Sequence, residues 1–192
     1  MYTWHVFQDP FALADAMGGV EKALEKLDEF FSTLPPEGAT RKNSDEGGLK
    51  GDGTLRDGQI GQYWHGNEPS HHIAYFYSCL GNRAKTSSLV EKICRVAYRP
   101  LPGGLCGNDD CGQMSAWYLF SMMGFYPFNP CGDGYVLGEA QAEEIELHLR
   151  NGKKFKVSKK NGKGEVFLNG SPFKEVKISH EAIMAGGELN FR

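Results

Sequence analysis

The hydrophobic period changes once along this chain, close to Pro130, and that single change limits the folds open to it. Upstream, apolar residues recur at helical spacing. In 20–31 the residues Val20, Ala23, Leu24, Leu27, Phe30 and Phe31 make one stripe. Downstream, Ile145-Glu146-Leu147-His148-Leu149 alternates with period two, and Asn151-Gly152 supplies a hairpin turn. The expected fold class is therefore mostly α and then β, with helical hairpins over 1–130 and an antiparallel set of strands over 131–192.

Punctuation residues place the helices. Asp9-Pro10 reads as an N-cap with Pro at the first helical position, and Gly18-Gly19 ends or bends that helix. Pro69 is expected to open a helix running to Leu80 before Gly81, and a partner follows over 85–98. A third begins near Cys111 and stops at Gly124. It is apolar nearly all round (Met114, Ala116, Trp117, Leu119, Phe120, Met123), the mark of a helix buried on most sides. Residues 32–62 are rich in Gly, Pro, Asp, Lys and Asn and read as a long loop, an insertion more than a lid. If successive helices alternate between an inner and an outer ring, the segments opening at Pro10, Pro69 and Cys111 are inner. Their N-termini then share one face, where a functional mouth is expected.

The 192 residues carry 40% hydrophobic and 23% charged side chains at a net charge of −3, with both signs interspersed. That balance points to no nucleic-acid or membrane-surface partner, and no stretch reaches the ~20 apolar residues that span a bilayer. The opening Tyr2-Thr3-Trp4-His5-Val6-Phe7 has no basic or apolar leader pattern, so no signal peptide is expected in this chain. It reads as the interior of a longer polypeptide. Five cysteines at irregular spacing fit neither a disulfide framework nor a zinc pattern. Cys106 and Cys111 flank a turn that a disulfide could close; free, partly buried thiols are the simpler expectation. Without a C-x-x-C, thiol redox chemistry is disfavoured.

Two polar clusters stand at inner N-termini. The first, His65-Gly66-Asn67-Glu68-Pro69-Ser70-His71-His72, holds more polar groups than a cap requires, although Glu68 alone is explained as one. The oxygen donors of Asn67 and Glu68 suit a hard cation such as calcium, and no HExxH zinc pattern is present. The second, Gly107-Asn108-Asp109-Asp110-Cys111-Gly112-Gln113, sets two carboxylates side by side. Asp110 is the expected helix cap, with Asp109 solvated. A carboxylate kept ionised by backbone amides suits a general base that takes a proton from water. Tyr63, Trp64, Trp117, Tyr118 and Trp4 flank the clusters; rings beside carboxylates fit a sugar site, and core packing explains Trp117 and Tyr118 equally well.

At this point the segments YTWHVFQDP (2–10), GQYWHGNEPSHHIAY (61–75) and GLCGNDDCGQMSAWY (104–118) resemble signature blocks of glycoside hydrolase family 92. The resemblance implies the C-terminal part of a calcium-dependent, inverting exo-α-mannosidase, with a partial (α/α)6 toroid of helical hairpins followed by a β-sandwich fragment. Inversion uses two carboxyl groups about 6.5–9.5 Å apart with a water between them. By motif position, Asp110 corresponds to the general base. Asn108 stands where many members carry an Asp that supports it. The resemblance further implies Asn67, Glu68 and Gln113 as calcium ligands, and His65, Trp4 and Asp109 as residues that bind a mannose-containing glycan. It places the general acid, a Glu in a Glu-Gly-x-x-Trp segment, ahead of Tyr2. The chain alone is then expected to lack useful mannosidase activity, and part of a helical ring is expected to expose apolar faces that promote self-association. The implied parent enzyme is secreted, periplasmic or at the cell surface. The alternative is a non-catalytic carbohydrate-binding or structural module.

Overall fold

The structure is a computed structural model that describes residues 2–33, 58–160 and 164–192. Most of the expected long loop, 34–57, lies outside the described residues.

Local signals set the first helices. In α1 (Pro10–Ala16) the Asp9 carboxylate accepts the Ala12 amide at 2.9 Å, and Pro10 occupies the first turn. Gly18 and Gly19, with φ of +96° and +112°, turn the chain into α2 (Val20–Ser32). That helix buries Ala23, Leu27 and Phe30 on one face. A short hairpin, β1 (Gln59–Ile60) with β2 (Tyr63–Trp64), then returns the chain beneath it.

The expected helix from Pro69 is a different object. It consists of two 3₁₀ turns, Glu68–Ser70 and Ile73–Tyr75, followed by one short helix, α3 (Phe76–Cys79). Every residue from Ser70 to Leu80 is buried. A segment enclosed on all sides has no polar face to preserve, so packing rather than helical propensity sets its winding. Next come α4 (Arg83–Ala97), capped by Asn82 on the Lys85 amide, and α5 (Gln113–Met123). Trp4, Phe30, Ile73, Phe76, Ile93 and Trp117 belong to the core that these elements share.

Gly124 ends α5 in a left-handed conformation (φ +81°) and sends the chain straight into β3 (Phe125–Tyr126). This strand precedes the expected boundary at residue 130. It pairs with β4 (Gly134–Leu137). The strands β5 (Glu144–His148), β6 (Lys154–Lys159), β7 (Val166–Leu168), β8 (Ser171–Pro172) and β9 (Lys177–Ser179) follow. The short helix α6 (His180–Met184), capped by Ser179, then leads to β10 (Gly187–Phe191). One sheet has the order β3-β4-β9 and the other β5-β6-β10-β7-β8. The wholly antiparallel set expected from the sequence is corrected here. Because α6 carries the chain across before its last strand, β10 enters between β6 and β7 and runs parallel to β6. Both sheets contribute to a second core, in which Phe125, Leu137 and Ile178 meet Phe155, Val157 and Leu189.

Gly124 has no substitute. A Cβ there would lie 2.3 Å from the Ala140 amide nitrogen, at a φ that L-residues resist. Gly124→Ala is expected to cost at least roughly 1–3 kcal/mol, read as a lower urea midpoint at unchanged slope.

Candidate active site

The three sequence blocks converge. His72 Nε2 donates to the Trp4 carbonyl at 2.7 Å, and Trp117 Nε1 donates to the His71 carbonyl at 3.0 Å. A Cβ on Gly107 would meet the Gly66 carbonyl oxygen at 2.6 Å, so the two polar loops abut backbone to backbone. Only glycine permits that approach. The loop bearing Asn67 and Glu68 is thereby set beside the loop bearing Asn108, Asp109 and Asp110.

Hydrogen-bond inventory fixes the histidine protons at this junction. The Tyr98 hydroxyl gives its one proton to the Met114 carbonyl at 2.9 Å. It therefore accepts from His65 Nε2 at 2.7 Å, and His65 Nδ1 accepts from the Tyr63 hydroxyl at 2.7 Å. His65 is fully buried with both nitrogens occupied, which leaves neither free for a sugar hydroxyl. The expected sugar contact is corrected to a strut that ties β2 to α5. His71 Nε2 faces the acceptor-only His65 carbonyl at 2.9 Å and must carry the proton. Burial pushes His65 well below the usual imidazole range, with the neighbouring His71 adding to it, and pushes His71 and His72 down to about 4. Trp4 is also a core residue, packed edge-on against Phe76 at 5.5 Å, not a sugar platform.

At the second cluster the roles of the two carboxylates are exchanged. Asp109 Oδ1 accepts from both the amide and the hydroxyl of Ser115 at 2.9 Å, so Asp109 caps α5 and is spent on that task. Asp110 was the expected cap, but it stands exposed on a run of three left-handed residues: Asp110 at φ 44°, Cys111 at 58° and Gly112 at 95°. The turn is closed by the Gly112 and Met114 amides on the Asp109 carbonyl, at 3.1 and 3.2 Å. Non-glycine residues in that region store strain that the surrounding bonds must hold. Asn108 is exposed beside it. Cys106 and Cys111 are not joined in a disulfide; Cys106 is half-buried and Cys111 exposed.

The donors named for a hard cation fit one in chemistry. Glu68 Oε1 is buried and has no hydrogen-bond partner among the described residues, a state that a carboxylate oxygen tolerates poorly unless something cationic meets it. Gln113 uses its amide nitrogen on His71 Nδ1 at 3.2 Å and the Tyr126 hydroxyl at 3.4 Å, which leaves its carbonyl oxygen as the ligating end. Among the described residues no three His, Cys, Asp or Glu side chains converge, so a soft-metal cluster is not formed there. Mixed carboxylate and amide oxygens are the ligand class of calcium. Tyr98 and Ser115 hold this arrangement together and were not singled out in the sequence, where Tyr63 stood only as a flanking ring and His71 only as one of a polar cluster. The density of histidines in 65–72 was the available signal for His71.

A family model for the glycosyl hydrolase family 92 catalytic domain matches residues 1–192. The fold superposes on the family GH92 α-mannosidase BT3965 from Bacteroides thetaiotaomicron at a TM-score of 0.83 and 35% identity, over 99% of this chain and 24% of that one. The same enzyme in complex with mannoimidazole gives 0.84 and 36%, again over 99% and 24%. The family GH92 inverting mannosidase BT2199 from the same organism gives 0.80 and 35%, over 98% and 26%. An uncharacterized secreted glycosidase of Arthroderma benhamiae is 29% identical over 133 residues, 65% of this chain and 17% of that protein. The chain belongs to glycosyl hydrolase family 92. It spans about a quarter of the length of the solved relatives.

Two outcomes follow from the geometry. Asp109→Ala is expected to destabilise the chain by about 1 kcal/mol through the lost cap, while Asp110→Ala leaves no capping bond broken; parallel urea titrations compare them. The second concerns pH. A histidine with a depressed folded pKa binds fewer protons when folded, so its contribution is complete above about 6.5 and is lost as pH falls towards 4. The unfolding free energy is therefore expected to fall between pH 6.5 and 4, with a slope of up to about 1.4 kcal/mol per pH unit for each of His71 and His72, read by urea titrations across that range. A flat profile over that window would contradict the assigned neutral state.

Proposed function

We propose that the chain supplies the general base and the metal side of an inverting, calcium-dependent exo-α-mannosidase acting on terminal α-mannosides of glycans. The observation that carries this reading is the abutment of Gly66 and Gly107, which sets the loop bearing Glu68, whose buried oxygen has no hydrogen-bond partner among the described residues, beside the loop bearing Asp110. Family membership supplies the substrate class: the solved relatives are described as α-mannosidases, and one of them is in complex with mannoimidazole. A description as an inverting mannosidase supports the stereochemical part.

In this reading Asp110 takes a proton from the attacking water. Its exposure gives water access, and the closed left-handed turn limits how far the carboxylate can wander. Asn108, beside it, orients that water or the base. Asn67, Glu68 and Gln113 would hold calcium, which when bound supplies charge for gripping vicinal sugar hydroxyls. His65 and Asp109 keep the two loops in place and touch no substrate. The Glu-Gly-x-x-Trp segment that family resemblance gives the acid's role does not occur in residues 1–192. The chain by itself is thus expected to be inactive on unactivated α-mannosides. The helices are read as part of an (α/α)6 ring and the two sheets as part of a β-sandwich, in keeping with two sheets on one core. A secreted or surface location accords with the glycosidase relative, itself described as secreted. No helix among the described residues is long and apolar enough to cross a membrane.

The test is an α-mannosyl fluoride, whose leaving group departs without a protonating acid. Calcium-dependent release of mannose with inverted configuration is expected. Asp110→Asn should lower the rate by roughly 10²–10⁴ with little change in melting temperature, since Asn tolerates a left-handed backbone as well as Asp does. Release that is indifferent to both chelation and Asp110→Asn would sink the assignment and leave a non-catalytic carbohydrate-binding module as the reading.

A further inference from the structure

A side-chain amide has two ends of nearly the same shape and opposite polarity. Packing cannot choose between them; only a partner that accepts without donating, or donates without accepting, can. Among the described residues, the Gln113 amide has two hydrogen-bond partners, His71 Nδ1 at 3.2 Å and the Tyr126 hydroxyl at 3.4 Å. A hydroxyl donates or accepts as required, so Tyr126 accommodates either end of the amide. His71 does not. Its Nε2 faces the His65 carbonyl at 2.9 Å, a group that can only accept, so the ring's single proton is on Nε2. Nδ1 then offers a lone pair alone, and the atom of Gln113 facing it must be the NH₂.

The ring itself has little freedom to turn. It stacks on His65 with centroids 4.6 Å apart and planes 26° apart, and the His71 carbonyl is held by the Trp117 indole at 3.0 Å. His71 is almost completely buried, so solvent does not compete for Nδ1. Orientation is thus passed in one direction: the His65 carbonyl sets the His71 tautomer, and the tautomer sets the Gln113 amide.

We propose that His71 is a positioning residue that holds the carbonyl oxygen of Gln113 as the end presented to a hard cation. This rests on the reading of Gln113 as a calcium ligand. His71 itself touches neither metal nor sugar. Without it the amide is free to rotate, and half of its orientations offer an NH₂ to the ion.

The experiment titrates the 192-residue chain with calcium, in the presence of mannose, by calorimetry and by terbium luminescence. His71→Phe is expected to weaken calcium binding roughly 10- to 100-fold, the range for partners that orient metal ligands. Adding Gln113→Glu to His71→Phe is expected to restore binding to within a few-fold, because a carboxylate offers oxygen whichever way it turns. Unchanged affinity in His71→Phe overturns the inference. So does a double variant as weak as the single one, since His71 would then act only through the fold. Failure of the unsubstituted chain to bind calcium removes the metal reading of Gln113 and Glu68 instead. A measurement on the unsubstituted chain stands apart from all variants: nitrogen NMR of His71 should find Nε2 protonated, Nδ1 bare and a hydrogen-bond coupling from the Gln113 NH₂. A protonated Nδ1 overturns the inference even where His71→Phe fails to fold.

Discussion

The carbonyl groups of His65 and His71 are the hinge on which this end of the molecule is built. Each belongs to a buried histidine between β2 and α3 and accepts a hydrogen bond, the first from the His71 ring and the second from Trp117 on α5. Buried carbonyls must find donors, and here the donors come from elements whose outer ends carry the polar loops. The same bonds that satisfy the core therefore also hold the two polar loops in place. The Tyr63–His65–Tyr98 chain reinforces it, since a buried and fully satisfied network keeps one arrangement and penalises alternatives.

This explains why the segment from Glu68 to Leu80 abandons a regular helix. Eleven consecutive buried residues, 70–80, cannot all be satisfied by one helical stripe. Two tight turns re-aim the chain so that His71 and His72 point to different neighbours, one to the β2–α5 side and the other to Trp4. A continuous α-helix would separate adjacent side chains by about 100° as well, but it would engage its own amides and carbonyls in the i to i−4 ladder. The His71 carbonyl would then have less call for the Trp117 indole.

What was legible in the sequence was what neighbouring residues decide. Pro10 and Gly124 mark helix ends because their effect acts within one turn, and Asn151-Gly152 marks its hairpin for the same reason. Helix order alone suggested a mouth shared by three N-termini, and one of the three, at Pro69, opens on 3₁₀ turns and not on a regular helix. Features that depend on distant partners were not legible. The parallel entry of β10 beside β6 depends on where α6 releases the chain. His65 looked like a sugar ligand because its second tyrosine, Tyr98, lies 33 residues away. Trp4, likewise, offers an aromatic ring in sequence and a buried wedge in space.

The pair Asp109-Asp110 shows how far backbone conformation can divide two identical side chains. A helix normally draws its cap from the residue just ahead of it, which made Asp110 the natural choice. In a left-handed run over 110–112 the chain doubles back, and the carboxylate that reaches the first turn comes from one residue earlier. The residue freed by this exchange is raised out of the turn and is still held at its base by the amides of Gly112 and Met114. A general base needs both properties, access to water and a fixed origin. A carboxylate that caps the helix has an oxygen committed to its donors, as Asp109 Oδ1 is to the amide and hydroxyl of Ser115. The strain of two non-glycine residues at positive φ thus accompanies the division of the pair into a carboxylate that caps α5 and one left exposed, the arrangement that the proposed role of Asp110 as base requires.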